Sequence, residues 1–261
     1  MANTWLCRIL HGITILMLTI GPCSGAATGS DVGKEQRWAA QIVDSLLDGE
    51  ALWLSDDAGH EFLGILTEGS VRQQAVILVH GIGVHPNWPD VIFPLREGLL
   101  EADITSLSIQ MPVLPNDADS SEYLPLFPEA AARLKSAVRY LLASGYAQVS
   151  LVAHSLGAAM SVHALSAAEP LELNAVILIG MGPGENGEAN IKAMATVKAP
   201  VLDLSGSEDL PLVRESAKRR ARAGETGQSP RFQQIIVQGA DHFFQGHEEA
   251  LILNTLNWLK R

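Results

Sequence analysis

The chain is short of sulfur, of aromatic rings and of positive charge. Its only two cysteines, Cys7 and Cys23, both precede residue 27. A chain trimmed there would carry no thiol and no disulfide, which excludes a disulfide scaffold, a thiol nucleophile and a cysteine metal site. Aromatics make up 5% of residues while hydrophobic residues reach 47%, so the core must be built from Leu, Ile, Val and Ala. Lys and Arg total 18 against 29 Asp and Glu, a formal charge of −11. Such a chain does not suit nucleic acid, whose phosphates call for clustered cations. The one basic cluster, Arg214, Lys218, Arg219, Arg220 and Arg222, has Glu215 four residues before Arg219 and reads as a solvated helix face. Residues 9–20 form a twelve-residue apolar run, short of the about 20 residues that a membrane-spanning helix needs.

What is present begins with a leader. Arg8 precedes the apolar run, and Ser24-Gly25-Ala26 supplies small residues for a peptidase. This is the pattern of a signal peptide over 1–26, with cleavage near Ala26 or Ala27. It predicts an exported protein, periplasmic or secreted. Membrane attachment would arise only from an uncleaved leader or a lipid anchor. Pro22, directly before Cys23, spoils the lipoprotein match.

Residues 27–60 are expected as an N-terminal helical extension. Within it, 34–48 places Trp38, Ile42, Val43, Leu46 and Leu47 on one helical face. From 61 to 261 strands and helices alternate. Strands are expected at 61–67, 74–80, 103–110, 147–153, 174–180, 200–205 and 232–238. Helices are expected at 126–144, 156–168, 210–223 and 247–260. Continuous apolar runs such as AVILV at 75–79 suit strands buried on both faces. The alternation predicts an α/β fold with a mostly parallel central sheet flanked by helices.

In such sheets the loops at the C-terminal ends of strands carry the chemistry. Ser155 lies there, in Ala153-His154-Ser155-Leu156-Gly157, between a strand and a helix. Alone it reads either as a reactive serine on a tight turn or as a helix N-cap. A serine hydroxyl needs a base. His242 follows the last strand, and Asp209 follows the strand before it, 33 residues earlier. Glu208 is a competing acid, Asp203 sits inside its strand, and Asp241 adjoins His242 too closely to face it well. His154 is expected to point away from the site and His163 to be structural. Two backbone donors for an oxyanion are expected: the N–H of Leu156, opening a helix, and that of Ile82 in His80-Gly81-Ile82-Gly83, with His80 supporting its loop. No metal cluster and no cofactor motif is visible.

These motifs, "HGIG", "AHSLG", "GSED" and "ADHFF", together with the order Ser, Asp, His, make the chain from about residue 60 onward resemble the α/β-hydrolase superfamily. Ala153 replaces the first glycine of the usual elbow pattern. The stretch ILVHGIGVHPNWPDVIFPLREGL is also similar to an uncharacterised family of exported bacterial α/β-hydrolase-like proteins. The resemblance implies a serine hydrolase acting through Ser155, Asp209 and His242 on an acyl bond, a carboxylic ester first, of a small or lipid-like substrate. An amidase, a peptidase and a silent scaffold binding a partner at the cell envelope remain alternatives. The stretch from 180 to 200 has no room for a bulky cap, so a small or absent one is expected. Residues 84–98 or 111–128, with Trp88, Phe93, Tyr123 and Phe127, are the other places for one.

Overall fold

The structure, a computed structural model, describes residue 1 and residues 29–260 except 168 and 170. The expected leader, with its cysteines and cleavage point, lies outside the described residues apart from residue 1. No helix among those described is long and apolar enough to cross a membrane.

Eight strands form one sheet: β1 (Glu50–Ser55), β2 (Glu61–Thr67), β3 (Gln74–Val79), β4 (Thr105–Ile109), β5 (Gln148–His154), β6 (Val176–Ile179), β7 (Val201–Gly206) and β8 (Phe232–Val237). Their order is β1-β2-β4-β3-β5-β6-β7-β8. The β1–β2 and β2–β4 pairings are antiparallel and the rest parallel. The central strands β3, β5 and β6 are apolar and buried along nearly their whole length, because helices cover both faces. The helices are α1 (Val32–Ser45), α2 (Ile92–Glu101), α3 (Phe127–Ala143), α4 (Leu156–Leu165), α5 (Ala189–Ala195), α6 (Pro211–Thr226) and α7 (Glu248–Leu259). One core cluster joins β3, β4 and β5 to α3 and α4. A second lies on the other face, under α2 and α7. This is the expected α/β class.

The structure departs from the sequence reading at several points of the fold. The 27–60 extension is not purely helical: β1 lies inside it and pairs along its full length with β2. Residue 60 is therefore no boundary of the sheet. Residues 84–98 do not supply a cap, because α2 begins at Ile92 and buries Leu95 and Leu99 against the sheet. Tyr123 is buried as well, and its hydroxyl accepts the Leu114 N–H (3.0 Å). Finally, the basic helix face is not wholly solvated. Arg220 is fully buried and pairs with Asp203 inside β7 (2.9 Å), while Arg219 reaches Glu188 (2.7 Å) rather than Glu215. Between β6 and β7 lie only a short 3-10 turn (Glu185–Gly187) and α5, in keeping with the expected small cap.

Candidate active site

The ends of β5, β7 and β8 and the loop after β3 converge on Ser155. Its backbone has φ 55 and ψ −119, a left-handed conformation that costs a non-glycine residue on the order of 1–3 kcal/mol. Hydrogen bonds on both sides hold it there. The Ser155 N–H donates to Ile179 O (2.8 Å), extending the β5–β6 pairing, and its carbonyl accepts Ala158 N (3.1 Å) and Ala159 N (3.2 Å) in the first turn of α4. The hydroxyl instead meets His242 Nε2 at 2.9 Å, so the serine side chain does not cap the helix.

His242 Nδ1 lies 2.6 Å from Asp209 Oδ1. That oxygen also accepts the Leu210 N–H (2.7 Å), and Oδ2 faces the Gly206 N–H (3.4 Å). Burial pushes the Asp209 carboxyl up, but the His242 contact and the two N–H donors outweigh it and hold the group below its ordinary value. Nδ1 therefore donates to a carboxylate, and Nε2 turns its lone pair toward the serine. Gly180, at φ 58, forms the wall behind this pair: a Cβ there would come within 3.0 Å of His242 Nδ1.

The small residues around the serine have different reasons. Ala153 sits in the strand, fully buried, and its methyl belongs to the core. At Gly157 a Cβ would meet His80 O at 2.2 Å and Val79 Cγ1 at 2.7 Å. We therefore expect Gly157→Ala to lower stability by about 3 kcal/mol, read from a urea midpoint. A change under about 0.5 kcal/mol would mean that α4 can slide away from β3.

Of the competing residues, Glu208 is exposed. Asp241 shapes the histidine loop by accepting Phe243 N (3.0 Å) and Gln245 N (3.1 Å). His163 contacts Asn190 Oδ1 (3.2 Å) and the edge of Phe127. His154 does not point away from the site, as expected, but lies in its floor. Its Nε2 donates to the His242 carbonyl (3.0 Å), its ring centroid is 4.8 Å from that of His242, and it packs against Gly81. Burial, followed by the nearby His242 charge, pushes its pKa down to about 4. The sequence offered no signal for this, because the contacts come from a loop 88 residues away.

His80 does support its loop. Its Nδ1 donates to the carbonyl of Gly81 (2.8 Å), and its Nε2 accepts Met111 N (2.9 Å) and the Gln110 amide (3.1 Å). Burial pushes its pKa down to about 3, so the ring is neutral. In a trans peptide the carbonyl and the following N–H point opposite ways. Anchoring the Gly81 carbonyl on His80 therefore turns the Ile82 N–H the other way. Gly81 itself lies against Ser155, where an added Cβ would sit 3.2 Å from the serine Cβ.

Solved structures similar to this chain share the fold. They include an esterase of Pyrococcus furiosus, Pf2001 (14% identity, TM-score 0.66, covering 84% of this chain and 95% of that one). A dienelactone hydrolase of Anabaena variabilis is 22% identical, with TM-score 0.66, covering 82% and 97%. Est1E of Butyrivibrio proteoclasticus is 15% identical, with TM-score 0.60, covering 82% and 100%. No curated protein matches the chain. A family profile matches residues 26–130 and 117–261, and on that match the chain belongs to the family described as Protein of unknown function (DUF3530), built here on the α/β-hydrolase fold.

Proposed function

We propose that the protein is a serine hydrolase cleaving an acyl bond, a carboxylic ester first. The observation that carries this is the relay Asp209–His242–Ser155, at 2.6 and 2.9 Å, with the serine on a strained turn. In this reading His242 Nε2 takes the hydroxyl proton as Ser155 Oγ bonds to the substrate's carbonyl carbon. The Ile82 and Leu156 N–H groups receive the charge that develops on the carbonyl oxygen. The bond to the leaving alcohol then breaks, with the proton passing from His242 to the alcohol. Water, deprotonated by the same histidine, releases the acid and restores the serine.

The surroundings favour an apolar acyl group. Ile82, Leu210, Leu212 and Phe243 are exposed on the loops and helix start that carry the site, and the Asp and Glu residues of those loops, Asp90, Glu208, Asp209 and Asp241, face no Lys or Arg within them. An uncharged small or lipid-like ester suits such a rim better than a carboxylate-bearing one. Similar folds named as esterases support the same reading. Export, with the leader removed, belongs to this proposal on the strength of residues 1–26.

The test is labelling of the leaderless protein with a fluorophosphonate probe, beside a series of p-nitrophenyl esters of rising chain length. Wild type should label and hydrolyse, and Ser155→Ala should do neither. Failure of wild type to label would remove the nucleophile assignment. Labelling without turnover of any ester would shift the reading to amides.

A further inference from the structure

The N-terminal helix α1 comes before the sheet in the chain, yet a buried polar path leads from it to the loop beside Ser155. Glu35, on α1, is buried. Its Oε1 accepts Val113 N (3.1 Å) and its Oε2 accepts Arg133 of α3 (2.8 Å). The Asp31 N–H, at the same end of α1, donates to Val113 O (2.7 Å), so Val113 is held on both sides of its backbone. The other arm of the Arg133 guanidinium donates to Gln110 O (3.0 Å). Residues 110–113 are thereby fixed from the α1 side. From their other side the Met111 N–H and the Gln110 amide hold His80 Nε2, and His80 Nδ1 holds the Gly81 carbonyl. A second contact is direct. Trp38 of α1 packs edge-on against His85 in the same loop, with ring centroids 5.5 Å apart.

We infer that α1 is a positioning element for the oxyanion donor: Glu35, through Arg133 and residues 110–113, fixes the His80 ring and with it the direction of the Ile82 N–H. This rests on the hydrolase reading above. A buried guanidinium with two carboxylates, Glu35 and Glu129, is costly to assemble, and breaking such a group frees every atom it holds. The arrangement gives a role to an ion pair formed between residues 98 apart in sequence. Glu35 does not touch the reacting atoms, so its effect must appear as geometry.

The test compares wild type, Glu35→Gln and Trp38→Ala in the leaderless chain. Active sites are counted by fluorophosphonate stoichiometry, so that partial unfolding does not enter the rates. Complete loss of one oxyanion donor costs about 10²–10³ in kcat, so a displaced donor should cost about tenfold. Glu35→Gln should lower kcat per titrated site by about that factor and leave KM within about twofold. Binding of a trifluoromethyl ketone, whose serine-bound hemiketal places an oxyanion there, should weaken in the same proportion. A purely structural role would lower the number of titrated sites and leave both quantities unchanged, and that result overturns the inference. If Glu35→Gln does not fold, Trp38→Ala decides: a fall of about threefold in kcat per site with KM held supports the coupling, and no fall overturns it. Wild type that neither labels nor hydrolyses defeats the hydrolase reading itself, and the inference with it.

Discussion

Replacing Asp209 with Asn should lower kcat by about 10⁴ while KM stays nearly constant. The size of the effect follows from the hydrogen bonds around the carboxylate. Oδ1 accepts both His242 Nδ1–H and Leu210 N–H, and Oδ2 faces Gly206 N–H. A carboxylate satisfies three donors; an amide cannot. With its oxygen at the Oδ1 position, Asn would turn its NH₂ onto the Gly206 N–H. Flipped, it would offer the NH₂ to His242, which must then accept at Nδ1 and carry its proton on Nε2, facing Ser155. In that tautomer the histidine cannot take the serine's proton. Single-turnover labelling with fluorophosphonate should slow by a similar factor, which separates a chemical defect from slow product release. A loss under tenfold would show that the orienting acid lies elsewhere, with Glu208 the first alternative.

The folded protein should lose about 4 kcal/mol of stability between pH 8 and pH 5. Two fully buried histidines cause this, His80 with a pKa of about 3 and His154 with one of about 4, against an ordinary value of 6.5. Both folded values are depressed, so the native state keeps these rings neutral while the unfolded chain protonates them. Their contribution is fully present above 6.5 and is lost as pH falls toward the folded values. At pH 5 each costs about 2 kcal/mol, since one pKa unit is worth about 1.4 kcal/mol. His85, also lowered by burial, adds the same sign. Glu35 acts in the opposite direction, because burial raises its carboxyl despite Arg133. Asp209, depressed below 3.8, loses its contribution only at still lower pH. Urea midpoints across this range measure the sum, and His154→Gln should remove about half of the slope. A pH dependence left unchanged by His154→Gln would mean that this ring is not held neutral.

The candidate site was legible where its polar residues sit on strand ends. Ser155, Asp209 and His242 each follow a recognisable apolar strand, and their order supplied the pairing that no single motif could. The parallel core was legible for the same reason: its strands are uninterrupted apolar runs. What escaped had a physical cause in each case. β1 is an edge strand with only Leu54 fully buried, so its apolar signal is thin. α2 contains Pro94, which reads as a breaker. In the structure Pro94 falls in the first helical turn, where a missing N–H costs nothing. Arg220 looked solvated because helical spacing describes its own helix and is silent about Asp203 on the strand beneath. The partners of Glu35 and His154 were hidden likewise, since both are made across the fold.

His154 bears on how protons move through the site. Two imidazoles lie side by side there, which in principle gives an incoming proton two stops. The N–H of His154 is committed to the His242 backbone carbonyl, and the ring stays neutral. It can neither hand a proton to Ser155 nor store one taken from it. In the proposed mechanism all proton transfer is therefore confined to the His242 imidazole, and His154 serves as an insulating wall.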